Sequence, residues 1–226
     1  MTRLLRQSPA SGTAADYAGA DLPGGSTPWR QARYCVVDLE LSGLDPRVDE
    51  IISFAAVPVE SGVILAGGAV YGVCRPTHPL REASVLVHGI RTIDLEAAAP
   101  LDEAVLPLVV AMTGRILVAH AAWVEQSFLS PVLRRQGVRL RHPVIDTQQL
   151  GRLLARQSGR HAVRPSLHEL AETLGLPSHR PHHALGDALT TAQVFLALAA
   201  HLDTSVPETV RSLALAKERA RMIDNG

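Results

Sequence analysis

Three apolar runs follow one another early in the chain, and the connections between them are short and carry residues that break regular structure. They cover residues 34–38, 51–59 and 63–74. Gly43, Asp45 and Pro46 lie between the first and second runs, and Ser61 and Gly62 lie between the second and third. All are residue types typical of turns. Adjacent strands joined by short connections predict an antiparallel meander.

The rest of the chain alternates between helix and strand patterns. Apolar spacing predicts helices over 101–112, 123–136, 148–157, 167–174, 184–202 and 208–223, with strands at 116–119 and 144–145. Strands first and strand–helix alternation afterwards predict an α/β fold with a mixed, five-stranded central sheet flanked by helices.

Composition suggests where the domain boundaries lie. Residues 1–30 are rich in Ser, Ala, Gly and Pro without a sustained period, which predicts a disordered N-terminal arm. One folded domain is expected over 31–202, followed by a helical extension over 203–226. The formal net charge is +0, so bulk charge gives no support to a nucleic-acid partner, and any such partner must be held by a local site.

The cysteine content and the apolar runs indicate the cellular setting. Two cysteines, Cys35 and Cys74, do not have the close spacing of a disulfide scaffold or a structural zinc site. A reducing, cytoplasmic location is therefore expected. No apolar run reaches the ~18 residues that a membrane span needs, so no membrane partner is expected.

Acidic side chains occur where predicted strands end or where the following helix starts. Asp38 and Glu40 end the first strand, and because strand side chains alternate they point to one face. Asp187 lies in the first turns of the longest helix, five residues after His182, and Glu125 lies near the start of an earlier helix. Taken singly, each is equally an ordinary strand-end or helix-start residue. Neighbouring carboxylates repel each other unless a cation lies between them, so the set together indicates a metal site.

These segments resemble the motifs of the DEDDh exonucleases, the epsilon-like proofreading family. That family carries Asp-x-Glu, then His-x-x-x-x-Asp twice. The corresponding residues are Asp38 with Glu40, His120 with Glu125, and His182 with Asp187. Two further segments, Val-His-Gly-Ile at 87–90 and Ile-Asp-Thr at 145–147, also resemble family elements, and the match runs in order over residues 33–200. The resemblance implies a ribonuclease-H-like exonuclease fold.

The resemblance also implies a reaction, namely hydrolysis of nucleic acid from the 3′ end to nucleoside 5′-monophosphates. Two ions of Mg²⁺ or Mn²⁺ would be held by Asp38, Glu40 and Asp187, with Glu125 acting on the second ion through water. His182 would be the general base that deprotonates the attacking water.

Substrate contacts are implied in the same way. They are expected from the backbone around Leu41, Ser42 and Leu44, and from His88 and His120. The implied partner is a single-stranded or frayed 3′ end of DNA or RNA, with a polymerase or another replication protein as a further partner.

Departures from the family pattern leave other functions open. Glu125 stands where the family has Asp, and Ala121 stands where Asn is usual. Val124, Ser42 and Arg91 replace the more usual Phe, Thr and Thr. A catalytically weak or inactive module that binds 3′ ends, or a polymerase accessory subunit, is therefore the alternative to an active exonuclease.

Two remaining features have ordinary and functional interpretations. A run of arginines between residues 134 and 164 is either a solvated face or a guide for phosphates, with Arg160 and Arg164 left undecided. His179, His182 and His183 could form a zinc cluster, although no cysteine lies near them.

Overall fold

The computed structural model describes residues 12–160 and 164–224. The strands in this part of the chain are β1 (Arg33–Leu41), β2 (Ile51–Glu60), β3 (Val63–Ile64), β4 (Val70–Val73), β5 (Ile116–Ala119) and β6 (Val144–Asp146). They form one sheet of 6 strands in the order β3-β2-β1-β5-β6, with β4 also paired to β2. The predicted mixed sheet is confirmed, with one strand more than expected.

Ten α-helices surround this sheet in the described residues. They are α1 (Thr13–Gly19), α2 (Glu82–His88), α3 (Leu101–Ala104), α4 (Leu106–Met112), α5 (Trp123–Arg135), α6 (Thr147–Gln157), α7 (Leu167–Thr173), α8 (Ala184–Leu202), α9 (Val210–Ala214) and α10 (Ala216–Asp224). The helices predicted from residue 123 to residue 202 are confirmed as α5 to α8. The predicted helix 101–112 is divided into α3 and α4, and α1 and α2 were not predicted.

Strand β1 is central to the sheet. It pairs antiparallel with β2, from Arg33 opposite Glu60 to Leu41 opposite Ile51. On its other side it runs parallel to β5, which in turn runs parallel to β6. The carboxyl ends of β1, β5 and β6 therefore lie side by side at one edge of the sheet, where open α/β sheets usually bind ligands.

The third apolar run is divided into two strands because of a proline in its neighbour. The carbonyl of Pro58 on β2 accepts a hydrogen bond from the Leu65 N–H at 2.9 Å. Pro58 has no N–H to donate in return, so the ladder is interrupted at this point. A short 3₁₀ helix, Ala66–Gly68, fills the gap between β3 and β4, and both strands pair with β2. The predicted meander is confirmed in this interrupted form.

Helices cover both faces of the sheet and enclose two apolar layers. On one face α8 packs against alternate residues of β1, β2 and β5, while α6 packs on α8, α10 packs on α6, and α9 contacts β6. On the other face α4 and α5 pack against the intervening residues of the strands, and α1 packs on α4. This burial on both sides holds β1 in a fixed position.

Helix α8 is the one helix among the described residues that is both long and apolar enough to match a membrane span. It is long enough to cross a membrane and has a hydropathy of 1.3, yet 61% of it is buried inside the fold. Its contacts are with β1, β2, β5, α6 and α7. Length and composition therefore match a membrane span, whereas the packing is that of a core helix.

The expectation of a disordered arm over residues 1–30 is wrong for residues 12–30. Tyr17 on α1 is buried, and its hydroxyl accepts a hydrogen bond from the Arg141 N–H at 3.0 Å. Trp29 is 2% exposed and packs edge-on against Phe195 of α8, with 6.3 Å between ring centroids. Two buried aromatic side chains thus order a segment whose composition resembles a loop. Residues 1–11 lie outside the described residues.

The C-terminal segment forms two helices in place of the one predicted over 208–223. Glu208 is buried and forms a two-pronged ion pair with Arg219, with N–O distances of 2.7 and 2.8 Å. The Val210 N–H donates to the Thr27 carbonyl at 3.1 Å, and α10 packs along α6. The segment is therefore tied to the N-terminal residues as well as to α6, and the domain boundary at residue 203 stays a prediction.

Replacing Trp29 by alanine should reduce the free energy of unfolding by about 3–5 kcal/mol, because a fully buried aromatic ring is lost and a cavity remains. Chemical denaturation monitored by circular dichroism measures this change. Trp123→Ala is the matched control, since Trp123 is 54% exposed and should change stability by only about 0.5 kcal/mol. Equal effects of the two substitutions would contradict the burial of the N-terminal segment.

Candidate active site

Three carboxylates meet at the carboxyl edge of the sheet. Asp38 and Glu40 come from β1, and Asp187 comes from the first turn of α8. One oxygen from each lies within 4.8 Å of the others, and among the described residues this is the group of side chains that could hold a metal ion. Glu40 and Asp187 are buried, whereas Asp38 is half-buried.

The local fold of β1 explains the place of the first two carboxylates. Asp38 lies opposite Ala55 and Glu40 opposite Ser53 in the antiparallel register with β2. The register then shifts between Glu40 and Leu41, so regular pairing ends just after the second acid. An irregularity of this kind bends the strand and changes the direction of the chain. The loop that follows is free to leave the sheet at the site.

A glycine brings Asp187 to the same place. The loop that contains His179 and Arg180 folds back over the first turn of α8. A side chain at Gly186 would put its Cβ 2.5 Å from the His179 carbonyl oxygen and 2.6 Å from that of Arg180. Only glycine permits this approach without moving the backbone. His182, with φ 58, donates its N–H to Asp187 Oδ2 at 2.9 Å.

Glu125 supplies a fourth carboxylate beside this group. It lies in the first turn of α5, and its side chain is 3% exposed. Its charge raises the pKa of Asp38, so the two carboxylates interact. Its Oε2 atom, like Asp187 Oδ1, is buried without a hydrogen-bond partner. Buried carboxylate oxygens with no donor are the groups that a cation would satisfy.

Burial raises the pKa of all four acids, and repulsion between carboxylates of the group adds to it at Asp38 and Glu40. Burial is the main cause that raises the pKa of Glu40 to about 7, and the charge of Asp187 adds to it. Burial raises the pKa of Glu125 to about 8. The pKa of Asp38 lies well above its usual value, and that of Asp187 is also raised, both chiefly through burial. The metal-free site therefore holds protons near neutral pH that a cation would displace.

The oxygen-only donor set fits a hard divalent cation. Carboxylate oxygens suit Mg²⁺ and Mn²⁺, whereas Zn²⁺ is more often held by Cys and His. The zinc alternative built on His179, His182 and His183 is not supported, because no such histidine group occurs in the described chain. His183 instead stacks on Tyr71, with 4.9 Å between ring centroids and 16° between the planes.

His182 is exposed at the rim of the site. Its backbone is fixed by the bond to Asp187, while its ring meets His168 edge-on, with centroids 6.0 Å apart. Positive charge on His168 lowers the pKa of Asp187, so His168 also lies near the carboxylates. His168 Nδ1 is 2.7 Å from Ser178 Oγ. Sequence reasoning did not select His168, and its one signal was its place in the loop-rich region just before His182.

His120 is half-buried and directly follows β5. Its Nδ1 atom lies 3.0 Å from the Thr147 hydroxyl oxygen, and burial lowers the pKa of its ring to about 4. It is therefore neutral near pH 7. The neighbouring Asp146 accepts hydrogen bonds from the Ala121 N–H at 3.1 Å and the Gln148 N–H at 2.9 Å. These contacts join the ends of β5 and β6.

The loop after β1 is organised by Asp49, which sequence reasoning did not single out. Asp49 accepts hydrogen bonds from the Ser42 hydroxyl at 3.2 Å and the Asp45 N–H at 2.9 Å. Arg81, just before α2, forms an ion pair with the same carboxylate. Leu44 is left exposed on this loop. The loop and the start of α2 are thus held together next to the carboxylates.

His88 has surroundings different from those expected of a substrate contact. It is buried at the end of α2, and its Nδ1 accepts a hydrogen bond from the Ile90 N–H at 3.1 Å. Burial lowers the pKa of its ring, and its Nε2 is buried without a partner. Leu86 and Val87 of the same helix are exposed. A role of His88 in substrate binding stays a prediction.

Comparisons with known proteins identify the family of this chain. A family model described as Exonuclease (RNase_T) matches residues 35–195. The chain is 33% identical over 169 residues to a DNA polymerase III PolC-type protein of Thermotoga petrophila, covering 74% of this chain and 12% of that relative. It is 31% identical over 165 residues to the DNA polymerase III subunit epsilon of Aquifex aeolicus, covering 72% of this chain and 78% of the subunit.

Two solved structures share the fold. Exonuclease X in complex with 5′ overhanging duplex DNA aligns with a TM-score of 0.60 at 22% identity, covering 81% of this chain and 99% of that one. Exonuclease I aligns with a TM-score of 0.65 at 16% identity, covering 76% of this chain and 41% of that one. The chain spans only 12% to 24% of the length of several relatives, including a subunit epsilon-like protein of Rhodobacter capsulatus at 24%.

Metal binding should release protons at pH 7, and the apparent affinity for Mn²⁺ should rise from pH 6 to pH 8. The raised pKa values of Glu40 and Glu125, about 7 and 8, mean that the folded metal-free protein binds protons that the cation must displace. Because the unfolded chain holds fewer protons in this window, the metal-free protein should also lose stability as pH rises. Calorimetry in two buffers with different ionisation enthalpies measures the protons released.

Glu125→Gln is the comparison variant for this measurement. It should release fewer protons and should raise the melting temperature of the metal-free protein at pH 8, because one buried acid is removed. Mn²⁺ binding with no proton release at pH 7 would contradict the described electrostatics of the site.

Proposed function

This chain belongs to the exonuclease family, in its epsilon-like DEDDh group, and we propose that it is a metal-dependent 3′→5′ exonuclease. It would hydrolyse a nucleic-acid strand from the 3′ end and release nucleoside 5′-monophosphates. The observation that carries this proposal is the group formed by Asp38, Glu40 and Asp187, whose oxygens approach within 4.8 Å of one another. Nothing but a cation makes such a buried group stable when it is fully charged.

The residues present fit a pair of Mg²⁺ or Mn²⁺ ions. Asp38, Glu40 and Asp187 would hold the pair, and Glu125 would steady the second ion through water. The bound cations would neutralise charge at the scissile phosphate and lower the pKa of the attacking water. Glu125 Oε2 and Asp187 Oδ1 are buried without a hydrogen-bond partner, which supports the assignment of these two side chains to the ions.

His182 would accept the proton from the attacking water. Its backbone is anchored to Asp187, which places an exposed imidazole at the rim of the carboxylate group. A general base has to lie near the water it deprotonates and be neutral at working pH. His120 is half-buried with a hydrogen-bonded ring, and its role would be to position the substrate-binding end of β5.

The 3′-terminal nucleotide would lie against the loop after β1. Backbone groups at Leu41, Ser42 and Leu44 would hold it, with His88 at the edge of this region. The exposed side chain of Leu44 offers an apolar surface to a base, which favours a single-stranded or frayed end of DNA or RNA. One related structure contains 5′ overhanging duplex DNA, which supports a nucleic-acid substrate.

The setting of the reaction is proposed from weaker observations. Relatives named as DNA polymerase III proteins support a replication partner. Cys35 and Cys74 are both free and buried, which supports a reducing, cytoplasmic location.

A catalytically weak 3′-end-binding module is the second candidate. Glu125 has one more methylene than the aspartate of the family, and a shift of about 1 Å at a reacting centre can cost ~100-fold in rate. A polymerase accessory subunit is compatible with either candidate. Shortening of a 5′-labelled oligonucleotide with Mn²⁺ supports the enzyme, whereas binding without shortening supports the module.

Asp38→Asn should reduce the rate of 3′ shortening by roughly 100- to 1,000-fold, because it removes a charge that holds both cations. The assay follows a 5′-labelled single-stranded oligonucleotide on a denaturing gel with Mn²⁺ or Mg²⁺. Asp16→Asn is the matched control, since Asp16 is an exposed acid on α1. An Asp38→Asn protein as active as the control would refute the metal assignment.

His182→Ala should lower the rate ~100-fold or more and flatten its dependence on pH between 6 and 8. Saturating Mn²⁺ is needed, so that proton displacement from the carboxylates does not contribute to the profile. His201→Ala is the control, because His201 lies exposed at the opposite end of the same helix. A profile identical to that of the unaltered protein would remove His182 as the base.

A further inference from the structure

A cationic groove lies beside the candidate active site. It has a volume of about 580 Å³ and is bounded by the start of α5, by α6 and by the C-terminal helices. Its lining includes the cations Arg152, Arg164, Lys217 and Arg221. Trp123, which is 54% exposed, stands at its wall.

The groove lies at the same end of the sheet as the carboxylate group, as the order of the strands shows. Asp146 at the end of β6 lines the groove, and its charge raises the pKa of Glu125. Strands β1, β5 and β6 are adjacent, so the end of β6 lies roughly 10 Å from that of β1, at ~4.8 Å per strand. Trp123 precedes Glu125 by two residues on α5.

The charge in the groove is local and positive. Two carboxylates, Asp146 and Glu218, also line it. Four cations therefore stand against two carboxylates in the groove, and the Asp146 carboxylate is already hydrogen-bonded to the Ala121 and Gln148 N–H groups. The whole chain has a formal net charge of +0, so this accumulation does not reflect composition.

We propose that this groove holds the phosphate backbone of the single strand on the 5′ side of the terminal nucleotides, with Trp123 stacking on a base. A positive groove that carries an exposed aromatic ring is the general form of a surface that binds single strands. An acidic peptide would match the charge but would not require the tryptophan. The strand polarity rests on the proposed function, since it assumes that the 3′ end lies at the carboxylates.

One wall of the groove lies beyond the matched family region. Lys217 and Arg221 belong to α10, whereas the family match ends at residue 195. Helix α10 is fixed against α6, so the two cations have a defined place. The C-terminal segment would thus extend the substrate site and add affinity for longer strands.

The test compares two double charge reversals that change the net charge equally. Lys217→Glu with Arg221→Glu alters the groove. Arg134→Glu with Arg139→Glu is the control, because these exposed residues lie at and after the far end of α5, near the opposite edge of the sheet. Fluorescence anisotropy with 5′-labelled oligonucleotides of 4 and 12 nucleotides, in EDTA, measures binding without cleavage.

The groove variant should bind the 12-mer at least about tenfold more weakly than the control, and it should show a smaller defect with the 4-mer. The slope of log affinity against log salt should fall by about 1.4, at ~0.7 for each phosphate contact of a single strand. Trp123→Ala should weaken 12-mer binding about tenfold, and Trp123→Phe should restore most of it, because an aromatic face remains.

Binding is measured without metal, so this test separates the groove from catalysis. Loss of 12-mer affinity in the groove variant supports the proposal even if the protein never shortens an oligonucleotide. Unchanged affinity, equal losses in both double variants, or no binding of the 12-mer by the unaltered protein would overturn it. Trp123→Phe behaving like Trp123→Ala would overturn the stacking contact.

Discussion

Buried negative charge at the end of β1 is the constraint on which the rest of the site depends. Asp38, Glu40 and Asp187 approach within 4.8 Å, and Glu125 adds its charge to the same space. Without a cation these acids raise one another's pKa and oppose folding, so the scaffold has to hold them in place. It does so with β1, which is paired on both sides, and with α8, which is buried along most of its length.

The segments that carry the acids come together at the site because of local backbone conformations as well as the strand and helix positions of the acids. Gly186 lets the preceding loop lie against the first turn of α8, and His182 in a left-handed conformation directs its N–H to Asp187. Ala121 also has a positive φ of 54, a conformation that costs a non-glycine residue roughly 1–2 kcal/mol. Its N–H donates to Asp146, which partly offsets that cost and joins the ends of β5 and β6.

The apolar pattern of the sequence correctly predicted those elements whose structure depends mainly on neighbouring residues. Strand 116–119 and helix 184–202 were predicted with the bounds that they have, because the first is an unbroken apolar run after Gly114 and the second carries apolar residues at helical spacing. The order of residues 12–30 was missed because it depends on contacts of Tyr17 and Trp29 with residues more than 100 positions away. The acids were found from motif spacing, whereas Asp49 and His168 act through tertiary contacts that no spacing reveals.

Segregation of charge would let a chain without net charge act on the polyanion proposed as its substrate. The acids are concentrated at the ends of β1 and α8, where they would be neutralised by divalent cations. The cations of α6 and α10 lie beyond β6, at the same edge of the sheet. A phosphate backbone crossing this edge would meet bound metal ions first and Arg152 and Lys217 next, so it would be attracted along its whole path. The carboxylates with their metal ions and the basic side chains would therefore both contribute to binding the strand, because the sheet keeps the two groups two strand widths apart.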